Sequence, residues 1–395
     1  MPPRDPSSPF RPRHAAGAVL DLRGGVRLAV DGVRAALREV EATHLRLAQL
    51  QPPVRGIRPG RPDHGWPAVV YRGLHGSADL VGGGVDLLLA SVQAWLQDPQ
   101  RDRGPAGPRP TRESVVAVLN AVLGDHLHRT DNPLAAQADL RVEGVRLPRA
   151  LLLVHDLGMG DLQWNQDGHD TGAALAAALA CTPVYARYNT GRHVWASARE
   201  LASSLEQRFA GWPVPLERLA MVGHGLGGLV LRSAIHQAQR AGMAWPGLLR
   251  EVVFLGTPLT GAHAGRAFGL LTAGGLGPHA PLALTRLALR RSDGMSDFLL
   301  GRWLEDDLPS MPAAANAPIA QAWPEAATAF AIAGSTGAGL DDGLVPVASA
   351  LGRDLLPGQE LPLAEPHRWV ATGTDHLGLL RSTDVLATMR QWMAA

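Results

Sequence analysis

A glycine-rich segment near the middle of the chain joins an apolar stretch to a helical one. The mostly apolar predicted strand 218–224 overlaps the start of the motif Gly223-x-Gly225-x-Gly227, and a helical pattern follows. Small residues at both ends of this motif suit a very tight strand-to-helix turn, which presents its central residue at the end of a sheet. A dinucleotide-binding fingerprint is the alternative, but that fingerprint should open the first βαβ unit of a fold, whereas this segment follows the third predicted strand. The segment therefore favours a very tight strand-to-helix turn whose central residue, Gly225, has no side chain.

Composition excludes several other kinds of site. The chain has 395 residues, a net charge of +1 and no lysine, so that all 37 basic residues are arginine. Without lysine there is no Schiff-base residue and no phosphate-binding loop ending in Gly-Lys-Ser/Thr. The single cysteine, Cys181, excludes a disulfide framework and a thiolate zinc site. The near-zero net charge gives no electrostatic reason to expect a nucleic-acid partner. We expect no metal and no cofactor.

The elements that must position the glycine turn fall into two main regions. Residues 1–16 are expected to be a disordered tail, since they are rich in Pro and Arg and have no periodicity. Residues 17–145 form a predicted helical region, with helices at about 18–50, 78–98 and 111–127. Residues 146–395 have a different pattern, in which apolar runs alternate with helical stretches.

This alternation predicts an α/β fold with a mostly parallel sheet flanked by helices. Six strands are predicted, at 150–157, 182–189, 218–224, 250–258, 327–335 and 367–374, with helices at 171–180, 194–210 and 226–241 between them. Residues 259–324 interrupt the alternation and are rich in Ala, Leu, Gly and Pro. We expect this insertion to be a lid or cap over the strand ends.

The glycine segment resembles the nucleophile elbow of the α/β-hydrolases. Residues 222–230 read Val-Gly-His-Gly-Leu-Gly-Gly-Leu-Val, close to the lipase and esterase form Val-Gly-His-Ser-Met-Gly-Gly-Leu-Val. The segments 167–172 and 188–193 resemble a bacterial lipase-like branch related to GPI inositol-deacylases. The resemblance covers roughly residues 17–393 and implies an α/β-hydrolase fold. The departure is that Gly225 stands where the family has its nucleophile.

The resemblance also implies two further triad residues. The family order is nucleophile, acid, histidine. Asp342 lies in Asp-Asp-Gly-Leu-Val-Pro after the fifth predicted strand and matches the acid better than Asp341 does. His376 follows the sixth predicted strand and matches the histidine. Asp342 would orient His376, which would act as the general base.

An oxyanion site is implied after the first predicted strand. The family has His-Gly-x there, and this chain has His155, Asp156 and Leu157. The backbone N–H groups of Leu157 and Leu226 would bind the oxyanion. Asp156 is a second departure, because a carboxylate beside an oxyanion site opposes developing negative charge unless it turns away or is protonated. The two departures fall in the same small volume.

Substrate contacts are assigned to Asp156, Met159, Trp164 and Leu259, the last standing where the family has a histidine in Gly-Thr-Pro-His. The apolar insertion favours acyl or lipid-like esters. Three interpretations of Gly225 stay open. The chain could be an esterase whose serine was deliberately removed, or a natural pseudo-hydrolase that binds an acyl ligand or a protein partner. It could also be a hydrolase in which His376 activates a water.

The expected partner is therefore a small ester or lipid-like molecule, and homo-oligomerisation stays open. No apolar run approaches the roughly 20 residues that span a bilayer. The N-terminus has no secretory signal pattern, which makes the cytoplasm the expected compartment.

Overall fold

The computed structural model describes residues 112–166, 168–263, 292–305, 321–337, 339–353, 355 and 360–394. The helices predicted at 18–50 and 78–98, and much of the insertion at 259–324, lie outside these residues. All the described residues except Thr130–Leu134 belong to one compact unit. Within the described ranges there is no helix long and apolar enough to cross a membrane.

A seven-stranded sheet forms the centre of this unit. Its strands, in chain order, are β1 (Asp139–Val142), β2 (Arg149–Val154), β3 (Thr182–Arg187), β4 (Arg218–His224), β5 (Leu249–Leu255), β6 (Thr328–Ser335) and β7 (Arg368–Thr372). Their spatial order is β1-β3-β2-β4-β5-β6-β7. Strand β1 pairs antiparallel with β3, and all other neighbours are parallel. The predicted α/β fold and all six predicted strands are confirmed.

Strand β1 was not predicted. It lies inside the 17–145 region that was expected to be helical, and it pairs along its full length with β3. Its sequence, Asp-Leu-Arg-Val, alternates polar and apolar residues in a short edge strand and lacks the long apolar run of a central parallel strand. Strand β2 has that run, since all of Ala150–Val154 is buried.

Helices flank the sheet. They are α1 (Arg112–Arg129), α2 (Thr171–Leu179), α3 (Val194–Ala210), α4 (Leu226–Arg240), α5 (Asp293–Leu300), the short α6 (Val347–Ala350) and α7 (Thr383–Met393). Helices α3 and α4 pack against each other, as do α2 and α7. One core cluster joins Leu151 and Leu153 of β2 to Leu175 of α2 and Met389 of α7. Such burial is the main source of stability for the sheet.

The parallel strands place their carboxyl ends along one edge. Strand β2 ends just before His155, β4 ends at His224, and the turns after β6 and β7 carry Asp342 and His376. In open α/β sheets this edge is where ligands and reactive groups collect. The fold thus brings together residues that lie far apart in the sequence.

Candidate active site

The turn between β4 and α4 is very tight, because the strand ends at His224 and the helix begins at Leu226. Gly225 adopts φ +51° and ψ −120°, a conformation that residues with side chains rarely adopt. A Cβ atom on Gly227 would lie 2.2 Å from the carbonyl oxygen of Val154, and one on Gly223 would lie 2.6 Å from Cα of Gly228. Gly227 therefore lets the turn pass in backbone contact with the end of β2, and Gly223 lets the start of α4 lie in close contact with β4, as a very tight turn requires.

The carboxylate of Asp156 occupies the space beside Gly225 where a nucleophile side chain would begin. A Cβ atom built on Gly225 would lie 1.9 Å from Oδ1 of Asp156 and 2.1 Å from its Cγ. Atoms at these distances overlap, so a side chain at position 225 and the observed Asp156 conformer exclude each other. The two departures from the family pattern are therefore sterically coupled, and Asp156 fills the place that Gly225 leaves.

Asp156 also accepts a hydrogen bond from the Leu226 N–H, one of the two groups that were expected to bind the oxyanion. Its Oδ1 accepts the backbone N–H of Leu226 at 2.6 Å. The sequence placed this carboxylate beside an oxyanion site as a substrate-binding residue. In the structure its own oxygen lies where the Leu226 N–H would meet a substrate oxyanion. The carboxylate neither turns away from the site nor leaves the N–H group free.

His376 lies between two carboxylates. Its Nδ1 is 2.7 Å from Oδ2 of Asp342, and its Nε2 is 3.0 Å from Oδ2 of Asp156. The backbone N–H groups of Leu344 and Val345 donate to Oδ1 of Asp342 and fix that carboxylate. We call Asp156, His376 and Asp342 the acidic triad. Asp341, the alternative acid, instead pairs with His263 at 3.4 Å.

Burial makes the charges of the acidic triad strongly interdependent. Its three side chains are at most 2% exposed. Burial alone lowers the pKa of His376, but the charge of Asp342, with hydrogen bonds to both carboxylates, raises it from 6.5 to about 10. Burial favours protonation of Asp156, yet the hydrogen bond and charge of His376 hold the pKa of Asp156 below its usual value. The raised pKa favours the protonated, imidazolium form of His376 at neutral pH.

Two further histidines surround the acidic triad, and sequence reasoning gave them no role. His224 is fully buried, and its Nε2–H donates to the backbone carbonyl of His376 at 3.0 Å. His155 stacks on Tyr188, whose hydroxyl donates to the carbonyl of His155. Burial is the main cause that lowers the pKa of both imidazoles to about 4, so both are neutral at pH 7. The sequence signal that could have placed these histidines at the site is their position, since they directly precede Asp156 and Gly225.

The remaining predicted site residues are buried near the strand ends or in the core. Leu157 is 5% exposed and Leu259 is 2% exposed. Met159 and Trp164 belong to the core cluster that joins β2, α2 and α7. The structure thus brings Asp156, Gly225 and Leu226 together with the Asp342–His376 pair. Substrate contact by Met159, Trp164 and Leu259 stays a prediction.

Comparisons with known proteins return structural neighbours of low identity. No protein-family model and no curated sequence matches the chain. A mature lipase of Bacillus licheniformis is similar to 66% of this chain over 98% of its own length, at 16% identity and a TM-score of 0.44. An esterase of Pyrobaculum calidifontis is similar to 75% of this chain over 98% of its length, at 14% identity and a TM-score of 0.40. The type II thioesterase BorB of the borrelidin cluster matches 64% of this chain, over 95% of its length, at 16% identity and a TM-score of 0.39.

Proposed function

We propose that this chain is a pseudo-hydrolase, an α/β-hydrolase-type protein that binds an acyl or other hydrophobic ligand and does not hydrolyse carboxylic esters. The observation that carries the proposal is the position of the Asp156 carboxylate, 1.9 Å from where a Cβ on Gly225 would lie. Serine-type hydrolysis requires a nucleophile, a free base and a free oxyanion donor in this volume. The same carboxylate interferes with all three.

Each requirement meets a specific obstacle. The nucleophile position is glycine, and no lysine is present in the chain to replace it. His376 Nε2 is the imidazole nitrogen that would accept a nucleophile's proton, and it is hydrogen-bonded to Asp156. The Leu226 N–H, which would stabilise the oxyanion, donates to Asp156.

The hypothesis of a His376-activated water meets the same obstacle. An attacking water would have to stand near the missing serine hydroxyl and donate to His376 Nε2. That space and that nitrogen are both taken by the Asp156 carboxylate. The geometry therefore favours a binding role over water-based hydrolysis.

The apolar residues that follow strand β5 in the sequence favour an acyl ligand. Leu259 replaces the polar histidine of the resembling family and lies against Gly352. In the sequence, Leu259 is the first residue of the insertion 259–324, which is rich in apolar residues. This apolar composition supports an acyl ligand, since burial of hydrocarbon is favourable by about 0.8 kcal/mol per CH₂.

Hydrolysis of p-nitrophenyl butyrate tests the catalytic half of the proposal. We expect no turnover by the natural chain or by Asp156→Gly, which has no nucleophile. Gly225→Ser should also be inactive, because its side chain overlaps Asp156. The double variant Asp156→Gly/Gly225→Ser should exceed both single variants by about 10³-fold or more and show an acyl-enzyme burst. Asp156→Gly/Gly225→Ala is the matched control without a hydroxyl.

Two results would contradict this half. Turnover by the natural chain that Asp156→Asn abolishes would make Asp156 a catalytic residue. Full activity of Gly225→Ser alone would identify a simple serine knockout, in which Asp156 moves aside at no cost.

Binding of a fluorescent long-chain fatty acid tests the other half. We expect saturable binding by the natural chain, competed by unlabelled fatty acid, with no covalent adduct in the intact mass. Absence of saturable binding would contradict the acyl-ligand role and leave the protein-partner alternative.

A further inference from the structure

We propose that Asp156, His224 and His376 form a binding site for one divalent transition-metal ion of the zinc class. This site would be a property of the chain whether or not the pseudo-hydrolase proposal holds. It depends on the Asp156 carboxylate, the residue that distinguishes this centre from the resembling esterases.

The three side chains come from three different elements and converge. One donor atom from each lies within 4.8 Å of the other two. All three residues are at most 2% exposed. Tetrahedral ligands at zinc–ligand distances near 2.0–2.1 Å are about 3.3 Å apart. The Asp156 Oδ2 to His376 Nε2 separation of 3.0 Å is close to this value, and the ion would replace the proton between these two atoms.

His224 has a free lone pair. Because its Nε2–H donates to the carbonyl of His376, its Nδ1 is the unprotonated nitrogen of the neutral ring. Among the described residues Nδ1 has no hydrogen-bond partner, although the ring is fully buried. Buried polar atoms in native structures are usually paired. A metal ligand is a role that this unpaired nitrogen can fill.

Asp342 supplies the supporting interaction that metal-binding histidines usually have. Its Oδ2 is 2.7 Å from Nδ1 of His376, which leaves Nε2 as the coordinating nitrogen. Carboxylate–histidine–metal arrangements of this kind fix the ring and increase the basicity of the ligand. The N–H groups of Leu344 and Val345 hold Asp342 in turn.

Charge and donor type indicate which ion fits. Two buried carboxylates, Asp156 and Asp342, lie at this centre, and their two negative charges match the charge of one divalent ion. Two imidazoles and one carboxylate suit Zn²⁺, Co²⁺, Ni²⁺ or Fe²⁺, whereas Mg²⁺ and Ca²⁺ prefer oxygen-only sites. Three protein donors leave a fourth position for water or an anion.

Cobalt(II) titration of the chelator-treated, full-length chain tests the site without any ester substrate. We expect one equivalent of Co²⁺ to bind and to produce visible d–d absorption of the intensity typical of four-coordinate nitrogen and oxygen ligation, which Zn²⁺ then removes by competition. Mg²⁺ should not compete. Titration without a visible band, or binding that saturates only at many equivalents, would overturn the proposal.

Variants assign the ligands. His224→Gln keeps an N–H donor for the carbonyl of His376 but removes the imidazole nitrogen ligand, and Asp156→Asn removes the anionic oxygen. Each should weaken Co²⁺ binding by about 100-fold or more, and Asp342→Asn by about 10- to 100-fold. His193→Gln is the matched control, because His193 contacts Asp293 and Asp297 outside the centre. Circular dichroism confirms folding of each variant.

The results separate the two proposals. Unchanged Co²⁺ affinity in folded His224→Gln and Asp156→Asn would refute the metal site and leave the pseudo-hydrolase proposal intact. Esterase activity of the natural chain after complete chelation would refute the pseudo-hydrolase proposal and leave the metal site intact. Asp156→Gly/Gly225→Ser should lose the Co²⁺ band while gaining esterase activity.

Discussion

Two clusters in this molecule place one charged side chain between two of opposite sign. In the acidic triad, His376 lies between Asp156 and Asp342. In what we call the arginine cluster, Asp161 lies between Arg141 of β1 and Arg187 of β3, at 2.7 and 2.8 Å. Every side chain of the acidic triad is at most 2% exposed, whereas Arg141 is 22% and Arg187 is 42% exposed.

The two clusters differ in solvent access, and therefore in how strongly their charges depend on one another. The arginine cluster joins the edge strand β1 and its neighbour β3 to the turn Asp161–Trp164, and solvent screens part of its charge. The acidic triad lies at the strand ends, where solvent does not screen it, so its charges depend on one another and on any ion bound there. Similar arrangements of charge therefore have different consequences.

Removal of the central residue should cost most in the acidic triad. His376→Gln leaves two buried carboxylates without a cation, and we expect a loss of about 3–5 kcal/mol in the free energy of unfolding at pH 7. Urea denaturation measures this loss. Adding Asp156→Asn should restore part of it, because only one buried carboxylate then remains. A loss below about 1 kcal/mol for His376→Gln would contradict the dry, strongly coupled triad.

The pH dependence of stability should distinguish the clusters next. Since the pKa of His376 is raised from 6.5 to about 10, its stabilisation is complete below pH 6.5 and is lost as the pH rises toward 10. In chelator-containing buffer we expect the unfolding free energy to fall over this window, by up to about 1.4 kcal/mol per pH unit. The slope should vanish in His376→Gln. A flat profile in the natural chain would contradict the charge assignment.

The arginine cluster should respond at the other end of the pH range. Burial favours protonation of Asp161, but its hydrogen bonds and charge interactions with Arg187 and then Arg141 hold its pKa below the usual value. Its stabilisation is therefore present above about pH 4 and is lost as the pH falls through the folded pKa.

Asp161→Asn should have the smallest effect of these changes. The arginines that it leaves behind are partly solvated, so we expect a loss of about 1 kcal/mol at neutral pH. Urea denaturation at pH 7 checks the value, with Asp161→Glu as a charge-retaining control. A loss as large as that of His376→Gln would show that exposure does not separate the two clusters.

The fold was largely predictable because its strands are long apolar runs with turn residues between them. The Asp342–His376 pairing followed from the order of the resembling motif. Strand β1 was missed because four alternating residues at a sheet edge give no comparable signal. The placement of Asp156 could not be read from either motif alone, since it depends on contact between its side chain and the Leu226 N–H, 70 residues away along the chain. The sequence indicated that the two departures share a volume, but not that one side chain fills the space of the other.

A double-mutant cycle at positions 156 and 225 tests the central claim most directly. Gly225→Ser introduces overlap with Asp156 at a strained backbone position, and Asp156→Gly removes that overlap. We predict that the double variant is more stable than the sum of the single effects by about 2 kcal/mol or more in unfolding free energy. Effects that add to within about 0.5 kcal/mol would mean that the Asp156 carboxylate does not occupy the nucleophile position.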